Sequence, residues 1–469
     1  MLAKRNWFLV FAVMATLSLA SSIAFGQADD DGGGDDGGGG GDGGTGGVEI
    51  DAQGVLSNRI QLDRSGAISQ QRLRAAQARV NKDIQKVSKL RKISLVKLEK
   101  QVAALKAAGK PIPAEMRYLA GMTRITHVFF YPEDNDIVIA GPAEGFFVNG
   151  QNRVVGMKSG LATLHLEDLI TALRAFGPDG KATRLISVSI DPTQEGLAKF
   201  KQTVKQVERN YQGPHQTPQI AQAFINSLGH QTITINGVSP KTRFAQVLTE
   251  ADYRMKLYGI GVEQPPVNIT SFISKAKPVN RSALRRWFFQ PEYECVKVNE
   301  DNTAIQFDGS GVKLVGESES VSVNGVRKAK GGTDRASQAF CNSFTKNYEA
   351  LAKKATLFGE LQNVIDMSIA AAFIQQADMY RRAGWGMDTF GSEAQYPVEV
   401  HPAPKKVPAI LNAVVKNGKL MTPIGGGVNI QPRVALNADR VQVDKEGKID
   451  EVKEAITTDQ LADDQWWWD

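Results

Sequence analysis

The stretch DIVIAGPAEGFFVNGQNRVVG, residues 136–156, carries the pattern that decides the fold class. Two short apolar runs, 137–140 and 146–148, flank a Gly-Pro-Ala-Glu-Gly turn, and a third short run follows at 153–155. Brief apolar runs separated by glycine, proline and asparagine read as β-strands joined by turns. Gly141 and Gly145 can take φ > 0 and Pro142 stiffens the loop. A lone carboxylate, Glu144, rides on this turn. Either it is held out for a ligand or cation, or it is turn punctuation.

Outward from this stretch, 128–131 reads as another strand, with turns at 132–136 and 149–152. Residues 164–176 read as an amphipathic helix stopped by Gly177-Pro178, and 185–190 as a strand. Asp191-Pro192 offers an N-cap followed by proline at N1, opening a helix through Arg209. GPHQTPQ, 213–219, is a short linker; helix, strand and helix follow to Tyr258, and Pro265-Pro266 marks a boundary. The second half opens with the strand-like pieces RRWFFQPEYECVKV and GVKLVG. A helical block from Asp334 to Met379 contains SIAAAFIQQADMY, apolar enough to be buried. The chain returns to strand at GKLMTPIGGGVNIQPRVAL and turns acidic from Asp444, closing on three tryptophans at 466–468. The expectation is an α+β protein with two mixed domains, 111–263 and 264–442, between disordered ends.

The amino-terminal part differs in kind. Lys4 and Arg5, an apolar run 7–20, and small residues Ala24 and Gly26 before Gln27 have the layout of a secretory signal peptide, residues 1–26. An uncleaved membrane anchor is the competing reading. Residues 27–65 form a Gly/Asp-rich linker too poor in apolar side chains for a core. From Ser69 to Ala108, Val80, Ile84, Val87 and Leu98, Val102, Leu105 recur at helical spacing, interrupted at Arg91 and Ser94. This predicts a basic amphipathic helix over 66–110, alone or as a coiled coil. Between Arg72 and Lys110 it holds 12 Lys/Arg against Asp83 and Glu99. Such a block meets phosphate, anionic lipid or an acidic polymer, or is a solvated face. No second long apolar run follows the leader, so the mature chain is expected to be soluble and to lie in the periplasm or outside the cell. The two cysteines, Cys295 and Cys341, would there be a disulfide or two buried free thiols.

MRYLAGMTRITHVFFYPEDNDIVIAGPAEGFF, LTEADYRMKLYGIG, RRWFFQPEYE and LMTPIGGGVNIQPR together resemble a family of secreted planctomycete-type bacterial proteins known only by a domain of unknown function. The resemblance covers most of 112–436 and implies export and architecture. It brings no activity, cofactor or catalytic residue.

The motifs of common chemistries are absent. His127, His165, His215, His230 and His401 show no i, i+4 pair and no H-E-x-x-H, so a zinc site would have to be assembled from distant segments. There is no G-x-S-x-G, no Walker A loop and no dinucleotide fingerprint, because Gln264 stands where the third glycine belongs. RRWFF, 285–289, has the composition of a nucleic-acid platform, but reads better as a strand with its rings in the core. No metal, cofactor or nucleic-acid partner is expected. Three candidate spots remain. One is Glu144. The second is Asp252 to Lys256 on a helix, where Asp252 and Lys256 pair at i, i+4 and Arg254 is open to an acid elsewhere. The third is the strip Asn429, Gln431 and Arg433 beside three glycines, which would suit sugar hydroxyls or carboxylates, or simply face solvent. The leading expectation is an exported, non-catalytic binding or structural protein of the cell envelope, its partner an envelope component or acidic polymer. The alternative is a carboxylate-based hydrolase of an envelope polymer drawing its acids from Glu144, Asp191 or Asp252.

Overall fold

A computed structural model describes residues 47–58, 63, 65–276, 283–322, 324, 326–329, 331–410, 424–455, 462 and 465–469. The leader and residues 27–46 of the Gly/Asp-rich linker lie outside the described residues. The quoted stretch does form strands. His127–Tyr131 and Asp136–Ala143 pair as an antiparallel hairpin, Tyr131 opposite Asp136, with Asn135 at φ 51° closing the turn. Phe146–Val148 pairs instead with Val154–Gly156 in a separate two-stranded ladder. The Glu144 turn therefore carries the chain from one sheet to another.

The hairpin belongs to a seven-stranded sheet in the order Gln442–Val443, Val296–Val298, Ala304–Phe307, His127–Tyr131, Asp136–Ala143, Ser88–Ser94, Trp467–Trp468. Alternation sorts its side chains. Val128, Phe130, Ile137 and Ile139 enter the main core. Phe129, Tyr131, Val138 and Ala140 face the other way, into a small second core with Ile449 and Trp468. Both faces are thus covered, and the cover of the outer one comes from the end of the chain, including the helix Lys448–Glu454.

The second seven-stranded sheet runs Arg327–Ala329, Val312–Val321, Ala283–Pro291, Ile424–Ile430, Ile186–Pro192, His230–Asn236, Lys406–Pro408. Ile424–Ile430 is parallel to Ala283–Pro291 and antiparallel to Ile186–Pro192. Its glycines serve this packing. A Cβ on Gly427 would sit 1.8 Å from the Val188 carbonyl oxygen, and one on Gly426 2.0 Å from that of Trp287. In RRWFF, Trp287 and Phe289 are buried and Phe288 is not, the alternation of a strand. Helix Thr356–Gln376, the one described helix long and apolar enough to cross a membrane, is buried in the core instead. The fold class is α+β, as expected.

Four expectations are corrected. Strands from 186–236 and from 283–430 interleave in one sheet, so no boundary near 264 separates two domains, and residues 43–469 gather as one unit. The helix expected over 66–110 is two helices, Ala67–Arg79 and Leu95–Ala107, with the strand Ser88–Ser94 between them. Arg91 and Ser94 are the reason. The Arg91 guanidinium is fully buried, donating to the carbonyls of Ile84 and Ala120, and Ser94 caps the next helix by accepting from the Lys97 amide. Thr193, not Asp191, caps the helix Gln194–Asn210, because the strand continues through Pro192. Part of the 27–65 linker is folded: Val48–Ile50 pairs antiparallel with Leu56–Asn58 and buries Val48, Ile50 and Leu56 in the main core. Of the two readings of Cys295 and Cys341, the free thiols hold, each buried beside a different segment: a Cβ on Gly311 would lie 3.9 Å from the Cys295 sulfur, and one on Gly316 3.5 Å from that of Cys341. Burial pushes both thiols up to about 12.

The chain end is corrected too. Trp467 pairs with Ile93 and Trp468 with Lys92, adding an edge strand to the first sheet. Trp466, just before the strand, enters the main core and the half-buried Trp467 packs against it, while Trp468 enters the second core; Trp467 and Trp468 are the adjacent strand residues that face opposite sides. Arg91 lies 4.6 Å over the Trp467 ring, and its Nε and Nη2 donate to the Asp469 carboxylate at 2.7 and 3.0 Å. The described part of the 443–469 tail is folded structure.

Asp136 gives a pH-dependent prediction. Its Oδ1 accepts from the Ser94 hydroxyl and the Ile137 amide, while Oδ2 has no partner among the described residues. Burial raises this carboxyl to about 6. A carboxyl raised on folding favours the folded state below its unfolded value, and that advantage is lost as pH rises through the folded value. Asp136→Asn should therefore match the parent near pH 4. It should gain on the parent between pH 4 and 6, by up to about 3 kcal/mol above that. Urea unfolding at several pH values measures the difference; a flat difference would refute it.

Candidate functional site

A cleft of about 320 Å³ opens where six chain segments meet, one of them carrying Arg117 and Tyr118. Arg153 enters from the two-stranded ladder. His165 and Glu167 come from the start of the helix Leu166–Ala175, and Arg243 heads the helix Arg243–Gly259 behind its Thr242 cap. Glu360 sits one turn into Thr356–Gln376. Glu399 and His401 lie on the segment leading to the strand Lys406–Pro408.

The wall of the cleft is a chain of buried charges. Glu360 accepts from Arg243 at 2.6 Å and from Arg153 through its other oxygen. Arg153 also donates to Glu250 at 2.6 Å, and Arg243 to Asp168. The five side chains are each under a tenth exposed. Burial pushes the Asp168 carboxyl up to about 6 against the pull of Arg243. Burial, then the Arg243 and Arg153 charges, hold His165 well below its usual value, hence neutral. Its ring meets Tyr118 edge-on at 5.1 Å. The His401 imidazole is lowered by burial, and the Glu167 carboxyl is raised by burial and by Glu399. The Nε2 atoms of His165 and His401 and one oxygen of Asp168 have no hydrogen-bond partner among the described residues. Buried polar atoms are normally satisfied, so these mark where a bound group would find partners.

None of the residues singled out in the sequence lines this cleft. Glu144 is buried and accepts from the amides of Lys158 and Ser159, both at 2.9 Å, and from the Ser159 hydroxyl. It pins the turn after the ladder, and Gly156 leaves it room. Arg254 donates to Glu263 at 2.5 Å and to the Gly47 carbonyl, lining with Glu250 a neighbouring cleft of about 680 Å³ that shares Arg153 with the first. The Asn429 strip breaks after the strand. Gln431 donates to Asn429, and Arg433, already in the turn Pro432–Ala435, donates to Gln375. Asp191 lies between Arg286 and Arg327, and Asp252 is fully buried against Lys256 at 2.8 Å.

Residues 188–272 match the family model of DUF1598, a protein of unknown function. No curated protein and no solved structure matches the chain. The DUF1598 segment supplies Arg243 to the cleft, and Glu250 behind Arg153; Arg153, His165 and Glu167 precede it, and Glu360, Glu399 and His401 follow. The sequence signal that was missed is local: a charged residue such as Glu360 or Asp168 inside an apolar helical stripe has to be paired.

Proposed function

We propose that the chain is an exported, non-catalytic binding protein of the bacterial cell envelope, akin to the secreted planctomycete-type proteins it resembles, and that the cleft is its binding site. The observation that carries this reading is the wall of mutually compensated charges. Arg153 and Arg243 are tied to three carboxylates, which fixes the shape of the cleft and leaves Arg117, Glu167, Glu399 and His401 lining it as well. A rigid concave surface with a few placed polar groups suits recognition. The leader layout supports export. The hydrolase reading gains nothing from Glu144, Asp191 and Asp252, which are committed to internal partners in three separate places.

The test is co-sedimentation of the chain from Gln27 onward with isolated envelope polymer. Binding is expected, and Arg117→Ala, an exposed change at the cleft, should weaken it about tenfold, as for the loss of one charged hydrogen bond. Equal binding by the variant, or none by the parent, would overturn the reading; release of soluble fragments would favour the hydrolase.

A further inference from the structure

We infer that Glu167, Glu399 and His401 form a binding site for a divalent transition-metal ion of the zinc type. They come from two parts of the chain, Glu167 from the first turn of the helix Leu166–Ala175 and Glu399 and His401 from the segment around 400. One donor atom from each lies within 4.8 Å of the others. Zinc with nitrogen and oxygen donors at 2.0–2.2 Å sets those donors about 3.4 Å apart in a tetrahedron. An ion has only to shorten the donor–donor separations by at most about 1.4 Å, under about 1 Å of movement per side chain.

A second observation is independent of that cluster. His401 is 6% exposed, and its Nε2 has no hydrogen-bond partner among the described residues. A buried ring nitrogen left without a partner is unfavourable, and metal ligation is a use to which a neutral imidazole is suited. The backbone already holds the segment in place: the His401 amide donates to the Lys241 carbonyl at 2.8 Å, and the Glu399 amide to Glu167 at 3.2 Å. Charge favours the same reading. Two carboxylates facing one another repel, and a dication neutralises both. The nearby Arg243 is already engaged by Asp168 and Glu360, so it does not stand as an uncompensated cation against the ion. An imidazole with two carboxylates suits zinc and its first-row neighbours better than magnesium or calcium, which prefer oxygen alone. Three protein donors leave a fourth position for water or a ligand in the cleft.

The inference goes beyond envelope binding and does not depend on it. The full mature chain, untagged and stripped with a chelator, is titrated with zinc chloride by calorimetry, and its metal content is measured after dialysis. One zinc per chain is expected. Glu399→Gln and His401→Ala should each weaken uptake by about tenfold or more, whereas His230→Ala, an exposed histidine outside the cleft, should leave it unchanged. Glu399 is exposed, so the metal-free melting curve of Glu399→Gln should overlay that of the parent, separating lost ligation from lost folding. No zinc taken up by the parent, or equal uptake by Glu399→Gln, would overturn the site.

Discussion

Glu360→Ala is expected to be the most damaging single change near the cleft, destabilising the fold by about 3–5 kcal/mol. Glu360 is the only described side chain bonded to both Arg153 and Arg243, and it is 2% exposed. Its removal leaves two buried guanidinium groups with one carboxylate each, Glu250 and Asp168, and opens a gap between them. Leaving a buried charge short of partners is far costlier than losing a surface pair. With total stabilities of about 5–15 kcal/mol, such a loss takes a large part of the whole. Glu360→Gln keeps one oxygen acceptor and should lose less. Urea midpoints of the three proteins give the ranking, and an alanine variant within about 0.5 kcal/mol of the parent would contradict the network's structural role.

Deleting residues 466–469 should cost a comparable amount. Trp466 and Trp468 are each under a tenth exposed and lie in different cores. Burial of a large apolar side chain is worth about 1.5–3 kcal/mol, so the pair contributes roughly 3–6. The deletion also removes the Asp469 carboxylate from a fully buried Arg91 and strips a neighbour from the Ser88–Ser94 strand. Single substitutions should rank in the order the strand dictates. Trp466→Ala and Trp468→Ala should be severe. Trp467→Ala should be milder, because this ring is only half-buried against the main core; its stacking on Arg91 adds about 0.5–1 kcal/mol. Chemical unfolding reads the order directly; equal effects from all three would show that the tail does not dock as a strand.

What the sequence made legible was local. Short apolar runs between turn residues marked the strands at 128–131 and 137–140, and RRWFF read as a strand with its rings in the core, which holds for Trp287 and Phe289 but not for Phe288. Helical spacing and Gly177-Pro178 bounded the helix at 164–176, and the apolar density of SIAAAFIQQADMY marked a buried helix. What stayed hidden was lateral. Nothing local says that Ile424–Ile430 lies between strands more than a hundred residues away, because strand order is set by which faces bury together. Arg91 misled for a related reason: a basic residue in a basic run reads as solvated, yet this one satisfies its donors on carbonyls brought in by tertiary folding. The cleft was illegible because each of its residues is unremarkable alone. His165, Glu167, Arg243, Glu360 and His401 gain meaning only from one another.

The position of Ile424–Ile430 has a consequence for how the chain matures. This strand is the centre of its sheet, flanked by Ala283–Pro291 and Ile186–Pro192. Until the ribosome has made it, those two have no common neighbour and the sheet remains in two halves with open inner edges. Domains usually fold as units while the rest of the chain is still being synthesised, and long-range pairings form slowly because the closure entropy comes first. Here the central pairing waits until Ile424–Ile430 has been made, more than a hundred residues after its flanking strands. For the exported protein proposed above, that delay would keep this sheet from closing while its earlier strands pass through a translocation pore.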